Sequence, residues 1–269
     1  VAEHSVCFGW NIPGNQGHET TRKNLQKQIG IAVYQIHKTY ITSDMKMSEL
    51  IAENSSLLLL LEHFEVDFAV KEKTVKQICT EYKIDLPVFL VFGNMYNGFY
   101  PDEKEIATLK NISTIIRFLK NSHRYYKHDK YPELKFYIGQ LHEKHNTEDI
   151  QLIERFFNEY FVEVLEHLDY EESVAFPYIC RLIEKGQIEK KNNFSASEYS
   201  DHHTDIETKL TDLKNLLLKH ISLKNDFSLR RKFLFSLFEL EFDLNIHSLI
   251  EEKILLPLVG KIETNSANG

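Results

Sequence analysis

Apolar residues recur at three- and four-residue intervals through most of this chain, the spacing of one helical face. Between Met45 and Gly93 the runs are short and predict helices over Met47 to Glu53, Ser55 to Phe64, Thr74 to Tyr82 and Leu86 to Phe92. Asn54 or Ser55 can cap the second of these, and Thr74 or Lys73 stands near the start of the third. The stretch Gly93-Asn-Met-Tyr-Asn-Gly98-Phe-Tyr-Pro101-Asp then reads as a linker. Beyond it the stripes lengthen into four helices. The first carries Ile112, Ile116, Leu119 and His123, and Pro132 is expected to kink or end it. The second opens at Thr147, a suitable N-cap before Glu148 and Asp149, runs Ile153, Phe157, Tyr160, Val164, His167, Glu171 and Val174, and stops near Gly186. His203, Ile206, Leu210, Leu213 and Leu217 share a face of the third. The fourth carries Phe233, Leu237, Leu240, Leu244, His247, Glu251 and Ile254 and is expected to end before Pro257 and Gly260. Every one of the four stripes contains a histidine.

These patterns predict an all-α chain: a small helical domain over 45–93, a linker over 94–104, a four-helix bundle over 105–262 and a tail over 263–269. Residues 1–44 form an unassigned extension, with a Gly-, Asn- and Pro-rich stretch from Asn11 to Thr21 and helical spacing from Lys23 to Tyr40.

Composition agrees with helices and narrows the function classes. The chain has 269 residues but only 10 Gly and 6 Pro, and it is 42% hydrophobic, enough to bury one sizeable core with a satellite. A net charge of -8 disfavours phosphate backbones, so no nucleic-acid partner is expected. The longest pure apolar run, Leu57 to Leu61, is too short to span a bilayer, and no signal-peptide pattern is visible. Cys7, Cys79 and Cys180 have no paired spacing, which points to a reducing, cytoplasmic setting rather than a disulfide framework.

The chemistry lies in a motif that occurs twice: His167-Leu-Asp-Tyr-Glu171-Glu172-Ser-Val-Ala-Phe176-Pro177 and His247-Ser-Leu-Ile-Glu251-Glu252-Lys-Ile-Leu-Leu256-Pro257. Residues four apart lie on one helical face, so each copy aims an imidazole and a carboxylate in the same direction. A lone histidine on an apolar stripe is usually a hydrogen-bonded core residue. Four on four helices, two of them followed by an in-phase glutamate, point instead to a metal site. Burying Glu171 and Glu251 as bare carboxylates is costly, and a cation removes that cost. Two carboxylates and four imidazoles suit two divalent ions, with the glutamates bridging and positions left open for water, oxygen or nitric oxide. Mixed imidazole and carboxylate ligation suits iron, with manganese or zinc as alternatives.

The order of the motif also separates di-iron classes. Ferritin-like proteins use Glu-x-x-His, and none of the thirteen histidines here has Glu three residues before it. His-x-x-x-Glu, twice, resembles the hemerythrin-type (HHE) bundle. The segments Ser122-His123-Arg-Tyr-Tyr-Lys-His128-Asp-Lys-Tyr-Pro132 and Asp201-His202-His203-Thr-Asp-Ile-Glu resemble that family's other two histidine helices. The resemblance implies His123, His167, His203 and His247 as ligands of two non-haem irons, oxo- or hydroxo-bridged, with Glu171 and Glu251 bridging. His202 is the alternative to His203, which shares a face with Ile206 and Leu210. Ser48 to Glu53, Leu61-Glu-His-Phe-Glu-Val-Asp67-Phe68 and Thr74 to Cys79 resemble the small N-terminal domain of the RIC family, di-iron proteins for repair of iron centres. Where that family usually has a Cys pair, Ala69 and Val70 stand here. Together the resemblances cover residues 45–262. They imply a cytoplasmic protein that repairs or protects iron-sulfur centres under nitrosative or oxidative stress, with iron-sulfur proteins as clients. The alternatives are reversible binding or sensing of oxygen or nitric oxide, and enzymatic reduction of nitric oxide or peroxide.

Further residues have lesser roles to offer. His145 is a candidate for the site mouth, whereas His128 and His142 read as surface residues. Glu172 and Glu252 turn away from the metals by one position, toward solvent or toward hydrogen bonds behind the ligands. Tyr126 and Tyr160 lie near the site by phase, and lysine-rich Lys185 to Lys191 reads as a solvated loop.

Overall fold

The structure, a computed structural model, describes residues 39–145, 147–185, 204–219 and 225–267. Every regular element among them is helical, apart from one isolated bridge between Lys46 and Thr74. In chain order these are α1 (Met47–Glu53), α2 (Leu57–His63), α3 (Val75–Glu81), α4 (Leu86–Tyr96), α5 (Glu103–Thr108), α6 (Ile112–Tyr125), α7 (Tyr131–His145), α8 (Glu148–Tyr170), α9 (Phe176–Lys185), α10 (Thr204–Lys219), α11 (Phe227–Ile250) and α12 (Leu256–Ala267). None is long and apolar enough to cross a membrane.

Local chemistry sets the helix starts. Thr74 and Gln77 exchange hydrogen bonds in a capping box at α3, and Asp102 and Glu105 do the same at α5. Asp85 accepts from Val88 N at the start of α4, with Pro87 in the first turn, and Thr147 accepts from Ile150 N at the start of α8. Asn54 Oδ1 accepts from Ser56 N at 3.0 Å just ahead of α2, and the same side chain has a second job. Its buried amide donates to Tyr96 O at 3.1 Å and Asn97 Oδ1 at 2.7 Å, tying α1 to the end of α4. That end also departs from the linker reading: α4 continues to Tyr96, and Asn94, Met95 and Tyr96 are buried in the core.

Pro132 and Pro257 do not end their helices as the sequence suggests, and Pro177 too lies inside a continuing helix. Each is preceded by one π-helical turn, at Tyr126–Lys130, Glu171–Ala175 and Glu251–Leu255, and the helix then continues. In all three, the residue before proline donates its N–H five residues back: Tyr131 to Tyr126 O, Phe176 to Glu171 O and Leu256 to Glu251 O. Proline has no N–H, and its ring crowds the carbonyl four residues earlier. A π turn swings that carbonyl aside and keeps the helix running. So α6 and α7 are one long helix through Pro132, and α11 with α12 runs through Pro257 and Gly260 to Ala267. The extra residue also shifts the buried face. Val174, in phase by simple helical spacing, is 39% exposed, while Ala175 and Phe176 are fully buried.

The long helices pack in a closed circuit, α7 on α8, α8 on α10, α10 on α11 and α11 on α7, and α9 packs on α12. Helix α2 packs on α6 and α4, and α4 also touches α11. One hydrophobic cluster therefore extends from Ile41 through Phe64, Phe89, Phe92 and Phe118 into the long helices.

Candidate metal centre

Four of the predicted site residues converge. His123 on α6, Glu171 and Glu251 at the first positions of their π turns and His247 on α11 are all buried, and each offers a ligand atom within 4.8 Å of the others. The three helices line up on their prolines. His167 and His247 stand ten residues before Pro177 and Pro257, and Glu171 and Glu251 stand six before. In the first helix the corresponding positions before Pro132 hold Ser122 and Tyr126. The π turn thus places a carboxylate inside the protein twice and a phenol once.

Hydrogen bonds behind the imidazoles fix their orientation. His123 Nδ1 is 3.0 Å from Glu172 Oε1, a carboxylate that can only accept, so Nδ1 carries a proton. Ser122 donates its one hydrogen to Leu119 O at 2.7 Å, so its oxygen accepts from His247 Nδ1 at 2.8 Å. Both Nε2 atoms then point into the same space, 3.4 Å apart. Glu171 approaches His123 Nε2 at 3.2 Å, and Glu251 approaches His247 Nε2 at 3.3 Å. Two lone pairs and two carboxylates facing one enclosed point need positive charge there.

Protonation follows from that crowding. Burial alone lowers the His123 imidazole, but the hydrogen bonds it donates to Glu171 and Glu172 outweigh this and raise it to about 9. His247 is driven the other way, to about 3, by burial and then by the charge on His123. One proton, held on the His123 side, is what the pair accommodates. Burial raises Glu171, yet the hydrogen bonds from His123 and His167 prevail and hold it well below the usual carboxylate range. The hydrogen bond from His123 is the chief cause that lowers Glu172 to about 2; Lys127, 3.1 Å away and also 2.7 Å from Asp169, adds to it. A divalent cation could replace the single proton and take both Nε2 atoms and both carboxylates as donors. Imidazole and carboxylate donors fit borderline divalent metals such as iron, manganese or zinc.

The remaining predicted residues fall around this group. His167 Nε2 lies 3.0 Å from Glu171 Oε1, next to the four but outside their closest set. Burial lowers its imidazole, but the hydrogen bond to Glu171 prevails and the net shift is upward. His202 and His203 lie outside the described residues, as do Gly186 and most of the Lys185 to Lys191 stretch. His145 does not reach the site mouth. It ends α7, 22 residues beyond His123 and so roughly 30 Å along the helix, and pairs with Asp226 at 3.0 Å. His128 is exposed and His142 pairs with Glu154. Glu172 is hydrogen-bonded to His123 while its side chain stays partly exposed.

Sequence reasoning missed Asp243. This fully buried carboxylate accepts from Tyr126 at 2.8 Å and Tyr96 at 2.5 Å and lies 2.8 Å from His63 Nε2. A signal was present, since Asp243 sits four residues before His247 on the buried stripe of α11. No family model matches the chain, and a search of the curated proteins finds no match.

Proposed function

We propose that this chain is a non-haem di-iron protein with a hemerythrin-like four-helix bundle. The observation that carries the metal reading is the pair of buried imidazoles whose Nε2 atoms face each other at 3.4 Å between two buried glutamates. Evolution of a purely structural core has little use for such a group, because each buried carboxylate costs several kcal/mol without compensation. Five described donors, His123, His167, Glu171, His247 and Glu251, exceed what one tetrahedral ion needs and suit a carboxylate-bridged pair of five- or six-coordinate ions. Iron, when bound, supplies reversible one-electron chemistry and open positions for small ligands.

The service we propose for it is protection or repair of iron-sulfur centres under nitrosative or oxidative stress, with the iron pair as a labile donor and iron-sulfur proteins as clients. Support for this comes from the doubled His-x-x-x-Glu motif and the RIC-like segments between Ser48 and Cys79. A second reading, reversible binding or sensing of oxygen or nitric oxide, is favoured by one observation. The small helical region has no reactive thiol among its described residues: Ala69 and Val70 replace the Cys pair, and Cys79 is buried, with its thiol pushed up to about 12 by burial and then by Asp85.

Metal content by plasma mass spectrometry after anaerobic ferrous reconstitution tests the site, with two irons per chain expected, and loss in His167→Ala and Glu251→Ala. Absence of stoichiometric metal in the wild type would end the metal reading. The loaded protein should then restore activity to an iron-depleted cluster enzyme. A reversible oxygen or nitric oxide adduct in stopped-flow absorption, with no iron loss and no reactivation, would decide for sensing.

A further inference from the structure

The alignment on prolines leaves Tyr126 in the position that holds a ligand glutamate in the other two motifs. Its ring is fully buried and sits edge-on to His247, with centroids 5.7 Å apart. Its hydroxyl is already hydrogen-bonded, at 2.8 Å, to buried Asp243. On the far side its ring lies 5.6 Å from that of Tyr125, whose hydroxyl donates to Glu239 at 2.9 Å. Tyr125 in turn lines a cavity of about 540 Å³ with Glu62, Phe68, Asp129, Lys130 and Phe242. Two adjacent phenols, each bonded to its own carboxylate, thus connect a closed metal group with a surface cavity.

From this arrangement we propose that Tyr126 is a redox-active tyrosine, with Asp243 as its proton acceptor, which relays single electrons between the metal group and the cavity at Tyr125. The inference rests on the metal reading above. Loss of an electron from a buried phenol alone leaves a cation in a medium that solvates it poorly. Asp243 removes that obstacle because the proton has somewhere to go over one hydrogen bond. Tyr126 would give one electron to the metal group once a hydroperoxide had oxidised it, and its proton to Asp243 Oδ2, leaving a neutral phenoxyl. Tyr125 refills the hole, giving its own proton to Glu239. A small thiol or enediol at the cavity then gives one electron to Tyr125, releasing its own proton to water and leaving as a radical, while Glu239 and Asp243 return their protons to the two phenols. The relay gives a buried centre a route for reducing equivalents, and it draws oxidising equivalents away from the ligand imidazoles.

The test uses the full chain loaded with ferrous iron, mixed with hydrogen peroxide and freeze-quenched for electron paramagnetic resonance. A tyrosyl signal is expected in the wild type and lost in Tyr126→Phe, which removes one oxygen, keeps the ring contacts and should bind unchanged amounts of iron. Asp243→Asn, which keeps the shape but takes up no proton, should slow radical formation about a hundredfold, the usual weight of a positioned base. The same signal in Tyr126→Phe, or wild-type rates in Asp243→Asn, overturns the relay. Should the chain bind no metal, the reading beneath it fails separately. Flash oxidation of the metal-free chain by photogenerated ruthenium(III) tris-bipyridine then decides. A long-lived tyrosyl component that vanishes in Tyr126→Phe supports a redox-active site, and its persistence in that variant refutes it.

Discussion

Replacing Glu251 by Gln should stabilise the metal-free protein above about pH 9, where His123 has lost its extra proton, and abolish its response to metal, a reversal of sign that a merely structural glutamate does not produce. Glu251 is fully buried and its ligand oxygen lies within 4.8 Å of that of Glu171. Two unit charges at that separation repel by ~3.5 kcal/mol at an effective dielectric of about 20. The amide removes this repulsion and keeps the shape, while weakening the contact with His247 by about 1 kcal/mol. Near neutral pH the lost attraction to protonated His123 offsets this gain; above about pH 9, where His123 is neutral, the net gain for the metal-free chain is about 2–3 kcal/mol. For a chain of this size that raises the melting temperature by roughly 5–10 °C. Wild-type protein in ferrous iron at a hundred times its dissociation constant gains ~2.7 kcal/mol by mass action, whereas the variant should gain almost nothing. Thermal melts with chelator above pH 9 and with anaerobic ferrous iron near neutral pH read both numbers. A Gln variant that melts below wild type in chelator above pH 9, or that keeps the full iron-dependent shift, refutes the account of this group as a site that waits for a cation.

Other parts of the structure make further expectations. Asp243→Ala should cost about 3–5 kcal/mol in urea unfolding, because it leaves Tyr96, Tyr126 and His63 with buried polar groups to satisfy; a loss under 1 kcal/mol would contradict this network. Burial raises the Asp243 carboxyl, but the charge and hydrogen bond of His63 and the two tyrosine hydroxyls prevail, so its folded pKa lies below the unfolded value. Its contribution is therefore full above the unfolded value near ~3.9 and is lost as pH falls through the folded one, so acid unfolding monitored by circular dichroism should be less steep in Asp243→Asn. Ser122→Ala removes the oxygen that accepts from His247 Nδ1 and should weaken metal binding about tenfold, measurable by competition with a chromophoric chelator. Thr74→Ala breaks a capping box and should cost ~1 kcal/mol in the same urea experiment, with no effect on metal content. Cys79 should resist iodoacetamide in the native chain and react only on unfolding, as peptide mapping by mass spectrometry would show.

The helices and the core of the site were legible in the sequence because both rest on local periodicity. A stripe at three- and four-residue spacing fixes which face of a helix is buried, and that alone put His123, His247, Glu171 and Glu251 inside. Capping at Thr74 and Thr147 was readable for the same reason, since a cap involves residues three apart. Pro132 and Pro257 were misread as a kink or a stop because a π turn has no periodic signature. It is recognised only when the N–H before each proline is seen to reach five residues back. That one inserted residue moved Val174 out of the core, and it let α7 and α12 continue where helix ends were expected. The hydrogen bonds behind the ligands lay beyond sequence reasoning altogether. Glu172 meets His123, Ser122 meets His247, and Asp243 meets His63 across 180 residues of chain. Such pairings depend on how separate helices cross, which is set by the packing of many side chains together. Composition and local spacing therefore determined that a buried imidazole and carboxylate group exists with Tyr126 near it; tertiary packing alone decided which nitrogens face one another, which proton each keeps, and that Asp243 holds the Tyr126 hydroxyl.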